Sequence, residues 1–151
     1  MKLIAHRGNI NGSEPSNENN PDYINRAIFN GYDVEVDIRL IDNKFYLGHD
    51  EPQYQVSMTW LTKRKDNLWI HCKDLKSLQN FISSPVDFNF FWHQNDDFTL
   101  TSKNYIWTYP GNPYTYRSII VMPETHIVLD DFFQIFDYEC FGVCSDYVNL
   151  L

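Results

Sequence analysis

Asp33-Val34-Glu35-Val36-Asp37-Ile38 reads as a strand with two unlike faces. Residues i and i+2 of a strand point to the same side. Glu35 and Asp37 therefore share one face, while Val34, Val36 and Ile38 share the other. On a solvated sheet this would be ordinary. Inside a parallel barrel the inner face is filled by apolar side chains, and paired carboxylates there are costly unless a cation joins them. A hard divalent cation held by oxygen ligands is the natural companion.

Outward from this stretch the chain repeats one pattern, a short apolar run ending in a polar burst. Leu3-Ile4-Ala5 ends in His6-Arg7-Gly8, and Leu68-Trp69-Ile70 ends in His71-Cys72-Lys73. Phe88–Trp92 ends in His93-Gln94-Asn95-Asp96-Asp97, and Tyr105–Thr108 in Tyr109-Pro110-Gly111. Ser118–Met122 ends in Pro123-Glu124, Ile127-Val128-Leu129 in Asp130-Asp131, and Phe141–Cys144 in Ser145-Asp146. With Asp33–Ile38 these make eight candidate strands. Helical patterns lie between some of them. Asn20 can cap a helix that opens with Pro21, buries Ile24, Ala27 and Ile28, and stops at Gly31. Leu75, Leu78, Phe81 and Ile82 repeat that spacing after Asp74, and Met58, Leu61 and Thr62 sketch a weaker helix.

Alternating strands and helices suggest parallel βαβ units, and eight of them would make a TIM-type barrel. Such barrels take about 250 residues, whereas 151 residues shared among eight units leave about 19 each. Pro110–Arg117, with Pro110, Gly111 and Pro113, has no room for a helix, and Asp97–Asn104 is equally cramped. The expected fold is α/β: a reduced TIM-type (β/α)8 barrel with several short or missing helices, formed by one domain over residues 1–151. An open α/β sheet is the second reading.

The polar bursts fall at the C-terminal strand ends, where such barrels carry their chemistry. Of the five histidines, His6, His49, His71 and His93 follow strand-like runs, His49 by way of a hairpin at Lys44–Gly48. A lone histidine is ordinarily structural, but four at one rim point to a site. His126 precedes a strand and reads as structural. His71 and Lys73 share strand parity, and Gly8 allows a sharp turn after His6 and Arg7. The polar loop Asn9–Asn20 is long for its place; its Glu18 can reach the rim, while Glu14 reads as surface. Tyr109 is the aromatic best placed to wall a pocket, the run Phe90-Phe91-Trp92 and Trp107 reading mainly as core.

Composition narrows the partners. With 43% hydrophobic and 17% aromatic residues, the chain can fill a core. A net charge of −8 argues against nucleic acid, which needs a basic footprint. It leaves room for a phosphorylated small molecule, since a few cations or a metal supply the local positive charge. Three cysteines, Cys72, Cys140 and Cys144, without framework spacing, fit reduced thiols. No leader segment and no membrane span of about 20 apolar residues are evident, so a cytoplasmic location is expected. Oligomeric state is not legible.

The same residues, in order, resemble the glycerophosphodiester phosphodiesterase family and, more broadly, the phospholipase C-like phosphodiesterase superfamily of TIM barrels. His6-Arg7-Gly8 matches the family's opening His-Arg-Gly, and Glu18-Asn19-Asn20 its Glu-Asn-Thr. Glu35-Val36-Asp37 matches a Glu-x-Asp pair, His49-Asp50 a His-Asp after a hairpin, and Gly142-Val143-Cys144-Ser145-Asp146 a late Gly-hydrophobic-x-Thr/Ser-Asp. The match is dense over Leu3–Pro52, thin in the middle and returns at Gly142–Tyr147. One departure matters: the family's third strand carries Glu-x-Lys, and here stands His71-Cys72-Lys73.

The resemblance implies a metal-dependent phosphodiester hydrolase acting on a glycerophosphodiester or related phospholipid head group. His6 and His49 would be the catalytic acid–base pair, Arg7 and Lys73 the phosphate-binding cations, and Glu35 and Asp37 metal ligands; His71, in the place of the family's third carboxylate, either ligates the metal as well or leaves extra water to complete its shell. Glu18, His93 and Tyr109 are further candidates, and Asp96 or Asp97 could replace the missing carboxylate. The metal would be Mg²⁺ or Ca²⁺, with Mn²⁺ or Zn²⁺ admitted by the imidazole. The alternative is a non-catalytic phosphate- or phospholipid-binding domain on the same scaffold.

Overall fold

Strand β2 (Asp33–Ile41) is the hub of the computed structural model, which describes residues 1–151 apart from the side chains of Asp130, Phe132, Phe133 and Phe136. Its first half pairs in parallel with β1 (Lys2–His6), setting His6 opposite Glu35. Its middle pairs in parallel with β5 (Leu68–Cys72), setting Asp37 opposite His71. Its far end turns back through Asp42 and Asn43, at φ 48° and 60°, into β3 (Lys44–Leu47). Two successive left-handed residues make the tight hairpin turn that matches strand twist. β4 (Tyr54–Val56) completes this antiparallel flap. Register alone thus assembles three of the polar bursts.

The remaining strands are β6 (Asn89–Trp92), β7 (Phe98–Leu100), β8 (Ile106–Thr108), β9 (Ser118–Val121) and β10 (Gly142–Ser145). Leaving the flap aside, eight strands lie side by side in the order β6-β5-β2-β1-β10-β9-β8-β7. All neighbours in this row are parallel except β7 against β8. The edges β6 and β7 come near each other without a ladder among the described residues. Ser102 N donates to Phe90 O at 2.8 Å, and Thr99 Oγ1 donates to Trp92 O at 2.8 Å. The sheet curls but stays open.

The (β/α)8 barrel expectation is therefore wrong. Three α-helices are present among the described residues: α1 (Pro21–Phe29), α2 (Met58–Thr62) and α3 (Leu75–Ile82). Asn20 and Asp74 cap α1 and α3 as their sequences indicate, their side chains accepting from Asp22 N and Ser77 N. Among the described residues no α-helix follows β6. The cramped Asp97–Asn104 segment is spent on β7 and an antiparallel hairpin into β8, where a barrel needs a crossover. The expected strand at Ile127–Leu129 is also absent; short 3-10 turns at Pro123–Thr125 and Leu129–Asp137 link β9 to β10. The open α/β sheet describes the chain better, with mixed rather than purely parallel strands.

Two apolar layers hold the curl. On the outside, α1–α3 cover Val34, Val36, Ile38, Leu68 and Ile70, with Ile24, Leu61 and Phe81 completing the layer. On the inside, Ile4, Trp69, Phe91, Trp107, Ile119, Val121 and Cys144 fill the concave face. Phe91 and Trp107 lie 4.6 Å apart between ring centres, and His71 stacks on Phe91 at 5.1 Å. Aromatic packing thus forms a floor directly beneath the polar strand ends.

Candidate active site

Above that floor is a cavity of about 390 Å³, lined by His6, Arg7, Glu35, His49, His71, Lys73, His93 and Tyr109 together with Trp92 and Trp107. Every histidine expected at the rim faces it. Asp37 lies just behind, fully buried, and Glu35 is 3% exposed. Glu18 lines an adjoining cavity of about 440 Å³, which shares Arg7 and His49 with the first.

The acidic couple is held from several sides. Asn19 Nδ2 donates to Asp37 Oδ2 at 3.0 Å, and its Oδ1 accepts from Asp37 N at 2.9 Å. Arg7 Nε stands 3.1 Å from the same Oδ2, and Lys73 Nζ 3.6 Å from Oδ1. Burial alone would raise the Asp37 pKa, but the close approach of His71 and the charges of Arg7, His71 and Lys73 hold it well below the carboxylate range. Arg7 also donates to Glu18 Oε2 at 3.0 Å, and its backbone N–H reaches Glu35 Oε2 at 3.3 Å. Burial raises Glu18 as well; hydrogen bonds from Asn9, Arg7 and Ser13 bring it down to stay ionised.

His71 stands on β5 opposite Asp37, and its geometry suits a metal ligand. Its Nε2 lies 2.9 Å from the His93 carbonyl. A carbonyl only accepts, so Nε2 carries the proton. Nδ1 then faces Asp37 Oδ1 at 3.1 Å and Glu35 Oε1 at 3.7 Å. A carbonyl that holds the outer N–H of an imidazole fixes its tautomer and turns the other nitrogen's lone pair toward a metal, as is usual for a ligating histidine. Asp37 Oδ1 is buried without a hydrogen-bond partner, and ligand atoms of Glu35, Asp37 and His71 all lie within 4.8 Å of one another. The residues fit a metal. Without one, burial lowers the His71 pKa, but its contacts with Asp37 and Glu35 and their charges push it up to about 9.

The three other histidines of the cavity differ. His6 Nδ1 lies 2.8 Å from Asp146 Oδ1, which leaves Nε2 as the ring nitrogen free for the cavity. Burial lowers its pKa, but the bond to Asp146 and the charge of Glu35 raise it overall. His49 is on the flap, with a side chain 39% exposed and Nδ1 2.7 Å from its neighbour Asp50. His93 is half-buried; burial and the charges of His71 and Lys73 lower its pKa. Its ring centre is 5.8 Å from that of Tyr109. Asp96, Asp97 and His126 do not line this cavity.

Local backbone explains why His6 and Arg7 sit where they do. Arg7 and Gly8 take left-handed conformations, φ 52° and 93°, and a Cβ on Gly8 would lie 2.7 Å from the Tyr23 ring. Only glycine lets the chain turn this closely over α1. Sequence reasoning assigned no role to Asn9, Asn19 or Asp146. Asn9 is fully buried, and its Nδ2 bridges Asp146 Oδ1 at 2.8 Å and Glu18 Oε1 at 3.0 Å. The Ser145-Asp146 motif was the available signal for Asp146; nothing in the sequence marks Asn9 beyond the length of its loop.

Comparison with family models, with curated proteins and with solved structures finds no match. No helix among the described residues is long and apolar enough to cross a membrane.

Proposed function

We propose that the chain is a metal-dependent phosphodiester hydrolase acting on a glycerophosphodiester or related phospholipid head group. One observation carries this reading: two imidazoles, two cationic side chains and the Glu35–Asp37–His71 group meet at one cavity above the aromatic floor. A receptor for phosphate needs cations and N–H donors but no acid–base pair.

Glu35, Asp37 and His71 would hold a divalent cation, which supplies positive charge to the phosphoryl oxygens. Mg²⁺ and Ca²⁺ suit the carboxylates; the imidazole favours Mn²⁺ or Zn²⁺ more than a third carboxylate would. Arg7 and Lys73 bind the non-bridging oxygens and stabilise charge that grows in the transition state. His6, oriented by Asp146, accepts the proton of the attacking water at Nε2. His49, on the exposed flap, returns a proton to the leaving alkoxide, and the products are a phosphomonoester and an alcohol. Tyr109, His93 and Trp92 wall the side where one ester arm lies.

Hydrolysis of bis(p-nitrophenyl) phosphate and glycerophosphocholine, with Mg²⁺, Ca²⁺, Mn²⁺ or Zn²⁺ in turn, tests the reading. Turnover that EDTA abolishes and that falls about 10²- to 10⁴-fold in His6→Ala or His49→Ala is expected. Phosphate binding without turnover above those variants would replace the hydrolase with the binding domain.

A further inference from the structure

Arg39 is the next inward-parity residue after Glu35 and Asp37 on β2, and an arginine so near a phosphate site would ordinarily be assigned to the substrate. Its guanidinium is already committed. NH1 donates to the Gly48 carbonyl, and NH2 donates to the His49 carbonyl at 2.6 Å and the Asp50 carbonyl at 3.2 Å. Arg39 lines neither the main cavity nor the adjoining one. Three consecutive carbonyls of the segment that carries His49 are gathered by one side chain.

That segment has few other anchors. His49 is more than a third exposed, and among the described residues its only side-chain bond runs to the neighbouring, exposed Asp50. Gly48 N donates to Asp37 O at 3.1 Å, and Gly48 sits at φ +144° where a Cβ would meet Glu51 O. The turn is therefore docked onto β2 through Gly48 and held in shape by the Arg39 fork. A planar guanidinium with five fixed N–H donors can span three carbonyls at once; an ammonium is a compact point charge without that fork.

We propose that Arg39 is a positioning residue that fixes His49 against the cavity by clamping the Gly48–Asp50 carbonyls. The same strand then sets the acidic couple and the second imidazole relative to each other. The kinetic part rests on the hydrolase reading above; the placement of His49 does not.

The test is a double-mutant cycle between Arg39→Lys and His49→Ala, with His49 ring signals followed by NMR. Arg39→Lys alone should lower kcat about 100-fold, the cost of a misplacement of about 1 Å, with KM changed less than about twofold. In the His49→Ala background the same substitution should cost less than about twofold, because the group it positions is gone. Equal losses in both backgrounds would overturn the proposal, since a merely structural role harms both alike. If the wild-type chain turns over none of the phosphodiesters, the hydrolase reading fails and NMR decides on Arg39. Shifted or broadened His49 signals in Arg39→Lys, with His6 signals unmoved, support the clamp, and unchanged His49 signals overturn it.

Discussion

The two halves of the sheet are built differently. From β1 to β6 the strands are backed by α1–α3, and they or their flap carry every histidine and cation of the site. From β7 to β10 hairpins, loops and 3-10 turns replace α-helices, and the inner face is mainly apolar: Trp107, Ile119, Val121 and Cys144. The second half gives the chemistry a wall and one buried anchor, Asp146. A curled, open sheet can gather a site with three α-helices in place of a barrel's eight, because register between neighbouring strands, not closure of the ring, brings the residues together.

The strongest way to break this contrast is at Asp146, where the plain half reaches into the chemistry. Asp146→Asn keeps the shape but removes the carboxylate that fixes the His6 tautomer. A fall in kcat of about 10²- to 10⁴-fold is expected, with little change in metal affinity by calorimetry. If the rate barely moves, Asp146 is scaffold alone and the site belongs wholly to the first half.

Stability should show the next largest contrast. Phe81 of α3 is 2% exposed and packs against Phe45, Phe88 and Phe90, with ring centres 5.6, 5.1 and 5.9 Å away. Phe81→Ala should cost about 3–5 kcal/mol in urea unfolding. Leu100 on β7 is 63% exposed, and Leu100→Ala should stay within about 0.5 kcal/mol.

A smaller effect, about 1.4 kcal/mol per pH unit, sharpens the account of His71. To ligate a metal it must lose a proton that it otherwise holds up to about pH 9. Metal affinity should rise about tenfold per unit from neutral pH toward 9 and level off above, with one proton released on binding. In the metal-free protein the sign reverses. The raised pKa adds stability below the unfolded value near 6.5, and that stability is lost as the pH climbs through about 9. Thermal melts of wild type and His71→Gln across this range check it.

Much of the site was legible because strand parity and the order of polar bursts are local facts. Glu35 and Asp37 face one way since they are two apart, and His71 joins them because β5 is the next parallel strand. The open edge of the curled sheet was not legible. Whether Asp97–Asn104 crosses over or doubles back depends on a pairing that hydrophobic pattern does not encode, and the Ile127–Leu129 run looked like a strand but leads into a 3-10 helix from Leu129. Asn9 escaped notice for another reason: it acts through buried side-chain bonds to residues far along the chain, and a polar loop reads the same with or without it; Asn19 stood inside the Glu18-Asn19-Asn20 motif, but nothing there told that its amide holds Asp37.

A crystal soaked with Mn²⁺ and inorganic phosphate tests the central claim most directly. The account predicts one cation about 2.0–2.4 Å from Glu35, Asp37 and His71, with the phosphate against Arg7 and Lys73 between His6 and His49. A cation bound elsewhere, or His71 still paired with Asp37 and Glu35 with no cation among them at saturating Mn²⁺, would contradict it.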